Sequence, residues 1–220
     1  MRKVFITGAS RGIGKAAAAM FTERGYKVSS PGRDILDLSD PESVKTFIKE
    51  NDCQADILIN NAGINPLIAL EDISYEDFLK VFNINLFSAA MLVKAFAPHM
   101  KKNNYGRILN ISSVWSVVSK PKRMVYAASK AAINSITQTM ALELGGYGIL
   151  VNALAPGFVN TELTKQNNGP AEIDLLEKSI PLNRLAQPEE IAEAIFFLAS
   201  DKNTFITGQT IQIDGGYTCR

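Results

Sequence analysis

A short apolar run, Val4-Phe5-Ile6, passes into Thr7-Gly8-Ala9-Ser10-Arg11-Gly12-Ile13-Gly14 and then into an alanine-rich stretch over residues 15–24. Strand, glycine turn and helix in that order bring backbone N–H groups and a helix N-terminus to one point, where a phosphate is stabilised. Gly8 permits the turn, Gly12 lets the backbone approach a ligand, and Gly14 allows helix and strand to pack closely. The spacing is G-x-x-x-G-x-G and not the commoner G-x-G-x-x-G. Such a turn alone is equally a tight strand-to-helix loop, so the rest of the chain must decide.

The rest repeats the alternation. Residues 25–30 form a second strand, stopped by Pro31-Gly32, and Ser39 or Asp40 caps a helix over 41–50 with Pro41 at its first position. A parallel crossover takes a dozen or more residues, yet only Gly32 and Arg33 separate the second strand from the Ile35-Leu36 run. A helix, and with it a third strand, is therefore shortened or missing here. Asp56-Ile57-Leu58-Ile59 is a buried strand ending in Asn60-Asn61-Ala62-Gly63. A long helix over 75–100 carries Asn83 and Asn85 among apolar residues, which predicts a helical irregularity where Asn85 bonds backbone. Strands at 107–113 and 148–155, a helix over 124–144, an amphipathic helix over 188–200 and a last strand at 209–213 complete a doubly wound parallel sheet covered on both faces. Residues 158–182 are polar and broken by Asn167-Asn168-Gly169-Pro170, a composition suited to a mobile lid with a helical piece at 172–178.

At 220 residues and 46% hydrophobic content, this predicts one α/β domain with a sizeable core. The net charge of +1 argues against nucleic-acid and membrane-surface partners. Cys53 and Cys219 lack metal-ligand spacing, so no metal is expected and free thiols in a reducing compartment are. With no signal-peptide pattern and no apolar run that reaches about 18 residues, the expectation is a cytoplasmic protein.

The chemistry gathers at Tyr126-Ala127-Ala128-Ser129-Lys130. Tyr126 and Lys130 are four apart and share one helical face, and an ammonium near a phenol favours the phenolate. Ser113, thirteen residues before Tyr126, ends an apolar strand and offers a hydroxyl at its C-terminal edge. Alone, Tyr-x-x-x-Lys is an ordinary helix face.

Together these motifs resemble the short-chain dehydrogenase/reductase family over nearly the whole chain, and look most like its 3-oxoacyl-(acyl-carrier-protein) reductases. The resemblance rests on Thr7-Gly8-x-x-x-Gly12-x-Gly14, Asn60-Asn61-Ala62-Gly63, Asn85, the Ser113/Tyr126/Lys130 set, Pro156-Gly157 with Thr161, and Asp214-Gly215-Gly216. It implies a single-domain Rossmann fold with a dinucleotide over the strand ends. It implies that Tyr126 exchanges a proton with the substrate oxygen, that Ser113 bonds that oxygen, and that Lys130 holds the ribose and lowers the Tyr126 pKa. Asn85 would anchor a water linking Lys130 to solvent. The cofactor set implied is Gly8, Ser10, Arg11, Gly12, Ile13, Gly14, Arg33, Asp37, Leu38, Asn61, Ala62, Gly63, Tyr126, Lys130, Pro156, Gly157, Val159 and Thr161.

By the same resemblance Arg33 falls where NADP-preferring relatives carry an arginine, and with Arg11 it favours NADP(H) over NAD(H), whose usual acid is represented only by the displaced Asp34. Ser113, Trp115, Met124 and Phe158 are the candidate substrate contacts. Lys120, Lys122 and Arg123 form a basic cluster beside the pocket, either a solvated loop or an attractor for an anionic substrate. A small-molecule or carrier-bound carbonyl is the expected substrate, with a sugar or polyol as the alternative and a non-catalytic dinucleotide sensor as a remote one. The resemblance also implies a homotetramer, with a dimer second, through the last strand and helices 75–100 and 124–144, whose small residues allow close packing.

Overall fold

The computed structural model of the chain describes residues 1–219. Its centre is a six-stranded, all-parallel sheet in the order β2-β1-β3-β4-β5-β6, formed by β1 (Lys3–Ile6), β2 (Lys27–Ser29), β3 (Ile57–Asn60), β4 (Gly106–Ile111), β5 (Ile149–Pro156) and β6 (Thr210–Ile213). The inner strands are apolar at consecutive positions because each of their faces is covered. Alternate residues go opposite ways: Val4, Ile6, Ile57 and Ile59 pack on α1 (Gly12–Glu23) and α8 (Pro188–Ala199). Phe5, Leu58, Ile108 and Val151 pack on α2 (Pro41–Glu50), α4 (Ser88–Lys102) and α5 (Met124–Leu144).

The expected deletion is there. Residues 30–40 hold neither helix nor strand; a turn closes on Gly32, whose carbonyl accepts from Ile35 N and Leu36 N at 3.1 and 3.0 Å. Leu36, 5% exposed, plugs the core beside Phe47 instead of starting a strand. β2 is consequently the sheet edge, paired only with β1. Asp40 caps α2 by accepting from Glu42 N at 3.0 Å, with Pro41 at the first position.

The long helix splits into α3 (Tyr75–Phe82), a π-helical turn over Asn83–Phe87, and α4. A capping box between Ser74 and Asp77 starts it. The run Tyr75–Lys102 is apolar enough over 18 residues to cross a membrane by length and composition, with half of that window buried inside the molecule. The expectation that no apolar run reaches this length is corrected: the polar residues are scattered and leave the mean hydropathy of the window high. Leu92, Val93, Phe96 and Met100 are spent on the core.

After β5 the chain forms α6 (Glu162–Asn167) and α7 (Pro170–Ser179), one helix more than the composition suggested. Neither contains a buried residue.

Candidate active site

The ends of five strands, β1 to β5, and three helices meet at one cleft of about 630 Å³. Its floor begins with the glycine turn. Gly8 and Gly12 have φ of +68° and +55°, which glycine adopts without steric cost. Thr7 and Asn61 pin the turn to the end of β3: Thr7 Oγ1 accepts from Asn61 N and Ala62 N at 3.0 and 3.1 Å, and Asn61 Nδ2 donates to the Thr7 and Gly8 carbonyls at 3.0 and 2.9 Å. The buried Thr7 was legible only as part of the turn. Arg11 precedes α1 without a side-chain cap, so the first-turn N–H groups face the cleft unshared by side chains.

This cradle fits a dinucleotide pyrophosphate, and Gly14 shows how little slack it has. A Cβ at Gly14 would stand 2.3 Å from Gly8 O and 2.4 Å from Asn61 Nδ2. Gly14→Ala is therefore expected to weaken dinucleotide binding more than tenfold and cost about 1–3 kcal/mol of stability, as overpacking against backbone does. Fluorescence titration and a thermal melt read the two effects.

Toward the sheet edge, Arg33 and Asp37 line the cleft and pair at 3.0 Å. Ser39 donates to Asp37 through its hydroxyl and its backbone N–H at 2.6 and 2.9 Å, and with Arg33 holds that carboxyl below the usual range. Arg11 lies 3.6 Å from Glu162. Asp34 does not line the cleft.

At the other end β4 delivers Ser113 and α5 delivers Tyr126 and Lys130, all lining the cleft. Lys130, 4% exposed, donates to Ile111 O at 2.7 Å, with its Nζ 5.7 Å from the Tyr126 ring centroid. Removal from water pushes its pKa down to about 8. The Tyr126 phenol moves the other way. Desolvation raises its pKa, and Ser113 and Arg123 only partly offset this. In the ligand-free site the pulls that lower it come from the Ser113 hydroxyl and the Arg123 guanidinium.

Asn85, 3% exposed, sits in the π-helical turn. Its Oδ1 accepts from Ile64 N at 2.9 Å, and its Nδ2 donates to Ile64 O and Ser129 Oγ at 3.0 Å each. The irregularity exists to aim this amide at the loop after β3. Gly63 lies against both Asn85 and Lys130, since a Cβ there would be 3.3 Å from Asn85 Oδ1 and 3.5 Å from Lys130 Nζ. A cavity of about 10 Å³ separates Asn60, Asn85 and Lys130.

Ser10, Ile13, Leu38, Ala62, Pro156, Gly157, Val159 and Thr161 also line the cleft. Of the substrate candidates Trp115 and Phe158 do so, their rings 5.8 Å apart, whereas Met124 points out and is 45% exposed. Tyr217, which sequence reasoning passed over, completes this aromatic group 5.1 Å from Phe158. Its only signal was its place after Asp214-Gly215-Gly216. The basic cluster divides: Lys120 and Lys122 are exposed, and Arg123 is buried in the cleft wall.

A hydroxyl, a phenol and an ammonium beside a phosphate-binding turn can place a carbonyl and supply its proton. The pattern of a family described as enoyl-(acyl carrier protein) reductase matches residues 8–218. A 3-oxoacyl-(acyl-carrier-protein) reductase of Thermotoga maritima is 37% identical over 96% of this chain and 95% of its own. A solved 4-hydroxyisoleucine dehydrogenase complexed with NADH is 31% identical, with a TM-score of 0.93 and full coverage of both chains. ElxO with NADP bound is 31% identical, with a TM-score of 0.90 and the same coverage.

Proposed function

The chain belongs to the short-chain dehydrogenase/reductase family, and from that membership we propose that it interconverts a ketone and a secondary alcohol with NADP(H), on a 3-oxoacyl-type substrate. The observation that carries the reading is the convergence of Ser113, Tyr126 and Lys130 at one end of the cleft whose other end is the glycine turn. The substrate class leans on the named relative; a sugar or polyol remains the second reading, since α6, at the start of the segment read as a lid, brings polar Glu162, Thr164 and Asn167 to the cleft wall.

When bound, the nicotinamide supplies or accepts the hydride. The turn from Gly8 to Gly14 would hold the pyrophosphate, Asp37 and Leu38 the adenine side, and Tyr126 and Lys130 the nicotinamide ribose, with Asn61 to Gly63, Pro156, Gly157, Val159 and Thr161 completing the lining. Tyr126 gives its phenolic proton to the carbonyl oxygen, and Ser113 donates a hydrogen bond to the same oxygen. Both act where negative charge grows, in a site shielded from water. The Lys130 ammonium stabilises the phenolate left behind. The small cavity between Asn60, Asn85 and Lys130 holds one water by volume. Buried Asn60 Oδ1, which has no partner, offers that water an acceptor. A proton route from Lys130 would pass there.

NADP(H) is favoured because Arg33 and Arg11 line the cleft and Asp34 does not. Titration with NADPH and NADH separately tests this. NADPH binds the unaltered protein more tightly, and Arg33→Ala weakens NADPH about tenfold, the loss of one charge-assisted contact, with little effect on NADH. Equal affinities would turn the assignment to NAD(H). A cytoplasmic site agrees with free Cys53 and Cys219. Exposed Phe87, Met91 and Leu142 support a homotetramer, or a dimer, measurable by light scattering.

A further inference from the structure

Arg123 is a buried cation in the cleft wall with no partner for its charge. It is 5% exposed, lines the cleft, and carries a guanidinium whose Nε and Nη1 have no hydrogen-bond partner. No carboxylate among the described residues forms an ion pair with it; the one charged or titratable side chain that affects it is Tyr126. The Trp115 ring lies 5.6 Å from the guanidinium carbon, a weak substitute for an anion.

Three costs coincide here. A charge is out of water without a counter-charge. Two donor nitrogens, carrying three N–H, are unused. The cation also stands just before the N-terminus of the 21-residue helix α5, where the helix dipole disfavours it. Each cost turns into a gain if an anion enters: the guanidinium, the helix end and the spare donors all favour it. The Trp115 ring, itself packed against Phe158 and Tyr217, walls one side of such a pair.

We propose that Arg123 is the substrate-recognition group of this site and takes a carboxylate belonging to the substrate itself. The distance between the carboxylate and the reacting carbon follows from the helix. Residues three apart on a helix are neighbours, with Cβ atoms about 5–6 Å apart, so a molecule held by Tyr126 and Arg123 together has its carboxylate only a few bonds from its carbonyl. That describes a short oxo acid or hydroxy acid with a free carboxylate. The phosphate of a carrier arm lies too far along its chain to reach Arg123, and exposed Lys120 and Lys122 play no part.

The inference rests on the oxidoreductase reading, and the experiment separates the two. The protein is first saturated with NADP⁺, monitored by fluorescence, so that no turnover follows. Acetoacetate and its neutral methyl ester are then titrated calorimetrically. Acetoacetate is expected to bind at least about tenfold more tightly than the ester, the worth of a charge-assisted contact. Arg123→Gln abolishes that preference and Arg123→Lys keeps part of it. The ligand-free melting temperature of Arg123→Gln does not fall, because the replacement removes an unpaired buried charge. Equal binding of acid and ester, binding of neither, or a preference surviving in Arg123→Gln overturns the proposal while leaving the oxidoreductase reading intact. Failure of the unaltered protein to bind either NADP⁺ or NAD⁺ overturns both.

Discussion

Tyr126→Phe retains nicotinamide binding and loses turnover, with kcat/KM falling about 10²–10⁴-fold, the usual worth of a positioned proton donor. The substitution deletes one oxygen and keeps the ring on which the Lys130 Nζ lies at 5.7 Å, so the wall of the site survives. The loss should fall on kcat, because the proton moves in the transition state and not on binding. Stopped-flow reduction of a 3-oxo ester with saturating NADPH separates the terms. A variant retaining more than a tenth of the unaltered kcat would remove Tyr126 from the chemistry and leave Ser113 or a water as the donor.

Lys130→Met makes the stability of the ligand-free protein less dependent on pH in the alkaline range. The folded pKa of Lys130 is pushed to about 8 from 10.5 by burial among apolar and backbone atoms. Below pH 8 the group is protonated in both folded and unfolded chains, so the fold bears the full cost of the buried charge. Between pH 8 and 10.5 the unfolded chain binds more protons than the folded one, and stability rises with pH. The rise from this one group amounts to roughly 3 kcal/mol over that window, at about 1.4 kcal/mol per pKa unit. Urea titrations of both proteins at pH 7.5 and 10.5 measure it as a difference between slopes, which cancels groups common to both. Identical slopes would mean that the ammonium is better solvated than its burial implies. The site thus holds a cation whose cost is recovered with a bound anion or phenolate nearby, and Arg123, seven residues or about two turns earlier, is another.

The parts of this fold visible in the sequence are those where one residue type has one physical use. Gly14 tolerates no side chain, Pro41 starts a helix, and consecutive apolar residues at 57–59 need two covered faces; each is found where its chemistry demands. The missing third strand was readable from chain length alone, since two residues cannot make a crossover. The irregularity at Asn85 was readable because an amide in an apolar helix must be satisfied. What escaped was set by three-dimensional neighbours. Arg123 beside Lys120 and Lys122 looks like a solvated loop, and only the Trp115–Phe158–Tyr217 wall shows that one of the three is turned inward. Met124, adjacent in sequence, faces out by one step of the same helix. The direction of the Tyr126 shift also depended on burial, which a four-residue spacing does not report.

Loss of the outer strand leaves β2 with a row of backbone N–H and C=O groups that no neighbouring strand satisfies, a template for edge-to-edge association. Three features of the same segment blunt it. The strand is only three residues long, Lys27–Ser29. Lys27 lies in register with Lys3 of β1, so an incoming strand would meet two like charges together. Pro31 follows two residues later and cannot donate to a ladder. Shortening the domain on this side therefore came with protection against aggregation, and Lys27→Val is the change that would expose the edge.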